Sequence, residues 1–390
     1  MEPTPNLASS TLIERAAAAL EHGVQMRTSG SVGHGRLVTL SGAALRASAE
    51  ATHARLGGPG RWVLALPPQH IAGFQVTVRA ALAANVGMPD ALMAAPTGSK
   101  VTSAIFAHLL ERALADDAPV YLSLVPTQLQ TAFTAARQGC HDTLALPSAA
   151  ENTLSLLARC KAVLLGGAAT PPALLRQAIE RGINVIRTYG MTETAGGCVY
   201  DGAPLTGVRL RIAEGGLVEL AGPMLADGYL GDAATTNAAF HTDADGVRWF
   251  RTSDLGRIDQ AGVLSVHGRA DTVVITGGVN VAPEPVEAEL LGLPLLATEV
   301  AVVGVPDERW GQAVVAVFAK PEGTDGLTPV SPELLALVRR QITDSLGPPS
   351  APHRIYVTNA LPRTTLGKLD RPALINAILR LSITNQAPNG

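Results

Sequence analysis

The chain of 390 residues is 47% hydrophobic and 16% charged, with a formal net charge of −3. That length and apolarity exclude a disordered chain and predict two or three domains around a large core. The near-neutral charge, with no basic block, speaks against nucleic acid and anionic membrane as partners.

The start, MEPTPNLASS, has neither a basic n-region nor an apolar core, so no signal peptide is expected. Residues 11–22 read as an amphipathic helix, with Leu12, Ile13, Ala16 and Leu20 on one side. The stretch 27–36, RTSGSVGHGR, follows. Its glycines and hydroxyls make a loop whose N–H groups can face an anion, although the Walker pattern is absent. A plain turn fits it equally well. Ser41 caps a helix to about Leu56. Residues 62–66 are a short buried strand, and 71–84 resume a helical pattern. His70 precedes that helix, where a structural histidine is the plain reading. Arg79 lies inside it among Val76, Val78, Ala80 and Leu82. A buried, unpaired guanidinium is costly, so Arg79 is expected to snorkel to the surface or to meet a carboxylate.

A helix over 101–115, a strand over 120–125 and a helix capped by Thr127 come next. Residues 162–165 form a strand, Gly166, Gly167 and Ala168 a turn, and Thr170 with Pro171 starts a helix to Arg181. A strand over 183–186 then breaks into a loop, RTYGMTETAGG, around one acid, Glu193. This β-α-β order predicts parallel neighbours and puts 166–168 beside 189–194, at the edge where open α/β sheets bind ligands. Thr188, Thr192 and Thr194 can bond phosphate oxygens, and Glu193 is a hard oxygen ligand suited to Mg²⁺. A capped turn with a solvated acid is the plain alternative.

From Gly207 the texture changes to short strands over 208–212, 217–220 and 263–266, a small antiparallel β subdomain. It encloses WFRTSDLG at 249–256, whose Asp254 suits a turn or the grip on a ribose diol. Gly268, Arg269, Ala270 and Asp271 precede a new strand over 272–276, and the domain boundary is placed there. The remainder reads as an α+β lobe: helix 283–291, strands 300–305 and 314–319, helix 332–345, strand 354–357. It closes with LPRTTLGKLDR at 361–371, where Lys368 follows a glycine. A solvated surface lysine is the plain reading of Lys368. Cys140, Cys160 and Cys198 are scattered without metal spacing, which predicts reduced thiols. No run of about 18 apolar residues occurs, so no membrane span is expected.

Together these stretches resemble the adenylate-forming superfamily: acyl-CoA synthetases, nonribosomal peptide adenylation domains and firefly-type luciferases. The resemblance runs from Arg27 to Arg371. Residues 28–36 match its phosphate loop, 189–194 its YGxTE stretch, 252–256 its S/T-x-D-x-G stretch, 268–271 its hinge and 361–368 its C-terminal loop with the adenylation lysine. Within the superfamily, LPPQHIAGFQVTVR at 66–79 and SLVPTQL at 123–129 are similar to the o-succinylbenzoate–CoA ligase group of menaquinone synthesis.

The resemblance implies an α/β fold. A large N-terminal domain, 1–268, would hold mostly parallel sheets, helices and the antiparallel β subdomain. A mobile C-terminal α+β lobe, 272–390, would be hinged at 269–271, with Asp271 as the hinge residue. It implies activation of a small carboxylic acid by ATP with Mg²⁺, then transfer to CoA. Thr28, Ser29, Gly30, Ser31, Gly33 and Arg36 would contact the nucleotide's phosphates and Asp254 its ribose, with Arg269 also among the nucleotide-binding residues. Tyr189, Gly190, Gly166, Gly167 and Ala168 would frame adenine. Thr192, Glu193 and Lys368 would act in catalysis, with Glu193 on the metal. His70, Arg79 and Ser123 would border the acyl site. A cytoplasmic enzyme is expected, without nucleic acid or membrane; a homodimer stays open.

Three departures stand out. Only 27 residues precede Thr28, so a first subdomain is expected to be reduced or missing. Val32 replaces the loop's usual threonine, and Gly35-Arg36 its usual Pro-Lys. Arg36 keeps the charge but not the geometry. The rival readings are adenylation of another aryl or acyl acid, and a catalytically silent binding protein of the same fold.

Overall fold

A seven-stranded sheet positions the site. Its spatial order is Leu92–Met93, Arg61–Val63, Val120–Leu124, Ala162–Gly166, Val185–Met191, Gly196–Tyr200 and Ala203–Pro204. The first five strands pair in parallel, and the last two antiparallel. The computed structural model describes residues 7–28, 35–96, 102–138, 149–293, 299–320, 324–363 and 369–384.

Parallel strands must be covered on both faces, which is why the central ones read as unbroken apolar runs. Helices Gly42–Leu56 and Ile71–Asn85 cover one face, packing Leu56, Val76, Ala80 and Ala83 around Trp62, Tyr121 and Tyr200. Helices Ser103–Ala113, Pro126–Gln138 and Ala149–Arg159 cover the other, with Leu110, Leu129, Leu154 and Leu157 against Val63, Leu122 and Leu165.

Two antiparallel sheets flank this layer. One pairs Val24–Arg27 with Leu37–Leu40, and Leu37–Leu40 with Gly228–Tyr229. The other orders Arg209–Ile212, Leu217–Ala221, Arg248–Ile258 and Phe240–Thr242, with Leu264–Arg269 also on Arg248–Ile258. A six-stranded sheet follows in the chain. Gly311–Ala319 is its hub, pairing antiparallel with Glu299–Asp307 and parallel with Arg354–Thr358. Helices Pro283–Leu291 and Pro332–Leu346 pack on one of its faces, and Arg371–Thr384 on the other. No described helix is long and apolar enough to cross a membrane.

Several expectations are corrected. The strand expected over 62–66 is Arg61–Val63, because Pro67 and Pro68 begin the turn into the next helix. Thr127 lies inside its helix; Gln128 Oε1 instead accepts the Val125 N–H at 3.1 Å. Pro171, not Thr170, occupies the N-cap, since Pro172 suits the first helical turn. The supposed loop after Ile186 is a strand to Met191, held by antiparallel pairing of Thr188 with Tyr200. Asp254 lies within a strand rather than at a turn. Helices Ala149–Arg159 and Arg371–Thr384 were not anticipated.

Candidate active site

The hairpin 185–200 leaves the parallel sheet at its carboxyl edge and turns through a 3₁₀ step, Thr192–Thr194. The Thr194 hydroxyl locks this turn. It accepts the Met191 N–H at 2.9 Å and donates to the Gly196 carbonyl at 2.8 Å. Ala195 completes it with φ of 49°. Gly190 is required here, since a Cβ would overlap the Gly196 carbonyl oxygen.

Glu193 projects from this turn. Its Oε1 accepts the Tyr229 phenol at 2.9 Å. Burial pushes the carboxyl above its ordinary range, opposed by its own N–H, by Tyr229 and by the charges of Arg36 and Arg269. The Arg36 guanidinium lies 5.4 Å from the centre of the Tyr229 ring. Arg36 in turn closes the base of the 28–36 stretch. Its N–H donates to Thr28 Oγ1 at 2.9 Å, its carbonyl accepts the Thr28 N–H at 2.7 Å, and Arg27 Nη1 donates to the Gly35 carbonyl at 2.7 Å.

A second carboxylate stands nearby. Asp254, 8% exposed, accepts the Tyr189 phenol on Oδ2 at 2.6 Å and Arg269 Nη1 on Oδ1 at 3.4 Å. Burial, then the adjacent Asp254 charge, hold Tyr189 far above the usual phenol range, so it stays a donor. Arg269 also grips Asp271, Nε to Oδ1 at 2.8 Å and Nη2 to Oδ2 at 2.7 Å. Gly166 pairs with Thr188, and a Cβ there would overlap the Thr188 hydroxyl. The glycine turn 166–168 therefore sits one strand from Tyr189, as the β-α-β order predicted.

The acyl-side residues are less closely grouped. His70 occupies the N-cap of Ile71–Asn85 without a side-chain cap bond. Arg79 lies about 13 Å further along that helix. It neither snorkels nor meets a carboxylate among the described residues. It is 3% exposed and lies 5.1 Å from the centre of the Trp62 ring, because its helix face turns onto the sheet. Ser123 is buried in Val120–Leu124, on the Tyr121 side of that strand. Ser29, Gly30, Ser31, Gly33 and Lys368 lie outside the described residues.

Tyr229 and His53 were missed. No motif marks either; only tertiary pairing brings Tyr229 to Glu193 and His53 to Trp62. No group of three or more His, Cys, Asp or Glu gathers for a metal among the described residues. The donor set nevertheless fits Mg²⁺, which takes one or two carboxylates and completes its shell with phosphates and water. Glu193 keeps one oxygen clear of side-chain donors among the described residues.

Residues 23–229, more than half of the chain, match the AMP-binding enzyme family, and 285–368 match the AMP-binding enzyme C-terminal domain. The chain belongs to the AMP-binding enzyme family. This AMP-binding enzyme is 41% identical over 350 residues to a probable 2-succinylbenzoate–CoA ligase of Mycobacterium tuberculosis, covering 89% of this chain and 82% of that one. It is 28% identical to the 2-succinylbenzoate–CoA ligase of Listeria monocytogenes, covering 80% of this chain and 60% of the relative. Among solved structures it is similar to o-succinylbenzoate CoA synthetase from Bacillus subtilis with the acyl-adenylate intermediate OSB-AMP. The TM-score is 0.72 at 26% identity, covering 90% of this chain and 68% of that one. The same synthetase with ATP and magnesium ion gives a TM-score of 0.71 at 25% identity, covering 90% and 69%.

Proposed function

We propose that this enzyme is an ATP-dependent acid–thiol ligase that activates 2-succinylbenzoate as an acyl-adenylate and transfers it to CoA, for menaquinone biosynthesis. A substrate carboxylate oxygen attacks the α-phosphorus of ATP, the phosphoanhydride bond breaks, and pyrophosphate leaves. The CoA thiol then attacks the acyl carbon, forming the thioester as the C–O bond to AMP breaks. A cytoplasmic location goes with this reading.

In this reading Tyr189 and Gly190 face adenine across the turn Gly166, Gly167 and Ala168. Asp254 takes the ribose hydroxyls with lone pairs that Tyr189 and Arg269 leave over. Thr28, Ser29, Gly30, Ser31, Gly33 and Arg36 bind the phosphates, and Thr192 joins them. Glu193 holds Mg²⁺, which when bound neutralises phosphate charge, the main demand of such transfers. Lys368 stabilises charge developing on the transferring phosphate. It arrives on the lobe 272–390, which turns about 269–271 with Asp271 as its hinge. His70 and Ser123 border the acyl group.

The observation that carries the choice of acid is Arg79. A guanidinium 3% exposed, with no carboxylate partner among the described residues, fits a substrate that brings a second carboxylate of its own. Mono-acid analogues would leave that charge unpaired. The test is pyrophosphate release across a panel of carboxylic acids, with Arg79→Ala beside the natural enzyme. The expected result is a strong preference for the di-acid and a KM for it raised about a hundredfold in the variant, near the low end of the about 3–5 kcal/mol typical of a broken buried pair. Unchanged selectivity in Arg79→Ala would remove the basis for the assignment.

A further inference from the structure

We propose that Tyr229 is a positioning residue for the nucleotide-bound metal: it aims Glu193 and ties to it Arg36, at the end of the phosphate stretch. The proposal rests on the assignment of Glu193 to Mg²⁺ and deepens it.

The backbone of Tyr229 is fixed from two sides. Tyr229 pairs with Val38 in the strand that begins one residue after Arg36, and the Leu230 N–H donates to the Leu37 carbonyl at 2.7 Å. On the other side, the Tyr229 N–H donates to Thr236 Oγ1 at 2.9 Å. The ring meets Phe240 edge-on, with centroids 6.0 Å apart at 62°. A ring so anchored delivers its hydroxyl to one place, Oε1 of Glu193 at 2.9 Å.

That bond has a directional consequence. It occupies one carboxylate oxygen and stops the group rotating about its last torsion. The other oxygen is then presented in one orientation. Partners that hold a metal-binding carboxylate by hydrogen bonds tune affinity without touching the ion. The same ring carries Arg36, 5.4 Å from its centroid. A guanidinium can stack on an aromatic ring in a way a lysine ammonium does only as a point charge. The exchange of the usual Pro-Lys for Gly35-Arg36 is thereby matched by a surface that holds the arginine. The phosphate-facing cation and the metal-facing carboxylate share one support.

The test uses the full chain with Mn²⁺ as a spectroscopic stand-in for Mg²⁺. Free Mn²⁺ is followed by electron paramagnetic resonance during titration in the presence of ATP, without acid or CoA. ATP binding is measured separately in chelator by calorimetry, and folding by circular dichroism. Glu193→Gln serves as the reference. Tyr229→Phe keeps the ring and loses the hydroxyl. It should weaken Mn²⁺ binding about tenfold, with metal-free ATP binding unchanged. Tyr229→Leu also loses the ring under Arg36, and should weaken both. If Glu193→Gln weakens Mn²⁺ binding while Tyr229→Phe does not, Tyr229 is not a positioning residue and the proposal fails with the metal assignment intact. If Glu193→Gln leaves Mn²⁺ binding unchanged, the metal assignment falls and the proposal with it.

Discussion

His53 shares the buried cluster of Arg79, and its chemistry can be measured without substrate. Trp62 Nε1 donates to His53 Nε2 at 3.4 Å, and Arg79 lies over the same indole. Burial, then the Arg79 charge, lower His53 from 6.5 to about 4. Between those values the unfolded chain binds more protons than the folded one, so stability rises with pH across that window. Lowering the pH from 7 to 5 should therefore cost about 2 kcal/mol through this group. Urea melts at both pH values check it, with His53→Gln expected to flatten the slope. Equal losses in both proteins would place the acid sensitivity elsewhere. At this scale the motif residues were legible: Tyr189, Glu193 and Asp254 announce themselves by residue type next to glycine and hydroxyls. Tyr229 and His53 were not, because their roles come from contacts across the fold. Arg79 was legible as a problem, a charge among apolar neighbours, but not as one stacked on Trp62 without a carboxylate partner among the described residues.

Among elements, the hairpin base at Thr28, Gly35 and Arg36 governs how the phosphate stretch is held. A Cβ on Gly35 would overlap the Thr28 carbonyl oxygen, which is backbone and cannot swing aside. Gly35→Ala should open that base, break the pair of Thr28–Arg36 bonds and raise the KM for ATP about tenfold, with a stability loss of about 1–3 kcal/mol. Gly57→Ala is the matched control. Gly57 has φ of 84° and no backbone of the described residues within reach of a Cβ, so it should lose stability alone. Equal ATP kinetics in the two variants would contradict this account of the hairpin. Helices with a polar cap were readable, as at Ser41, whose Oγ accepts the Ala44 N–H at 3.1 Å. Within the hairpin 185–200, residues 187–197 were misread as a loop. Its glycines and threonines carry no apolar alternation, and its strand character comes from pairing with Gly196–Tyr200.

For the whole molecule, the proposed mechanism requires two arrangements of the C-terminal lobe. Arg269 is where they meet in the chain, bonded to Asp254 on one side and to Asp271 on the other. Lys368 should serve only the first step, since a cation at the transferring phosphate has no part in thiol attack. Lys368→Ala should lose most adenylate formation yet still convert supplied acyl-adenylate and CoA to thioester. Asp271→Pro, which fixes φ at the hinge, should do the reverse. Single-turnover assays of each half-reaction check both; equal damage to both steps in folded Lys368→Ala would exclude the two-arrangement mechanism. Most of the order of strands and helices in this lobe was readable in the sequence; the short strands Val279–Val281 and Thr328–Pro329 were not. The helix Arg371–Thr384 was not, because it follows the last recognisable motif.

The most direct test of the central claim omits CoA at first. The enzyme is mixed with ATP, Mg²⁺ and 2-succinylbenzoate, quenched within a single turnover, and the nucleotides and acyl species are separated. One equivalent each of acyl-adenylate and pyrophosphate is predicted, and added CoA should then convert the adenylate to thioester and AMP. Release of ADP and phosphate, or adenylation of other acids but not of 2-succinylbenzoate, would contradict it.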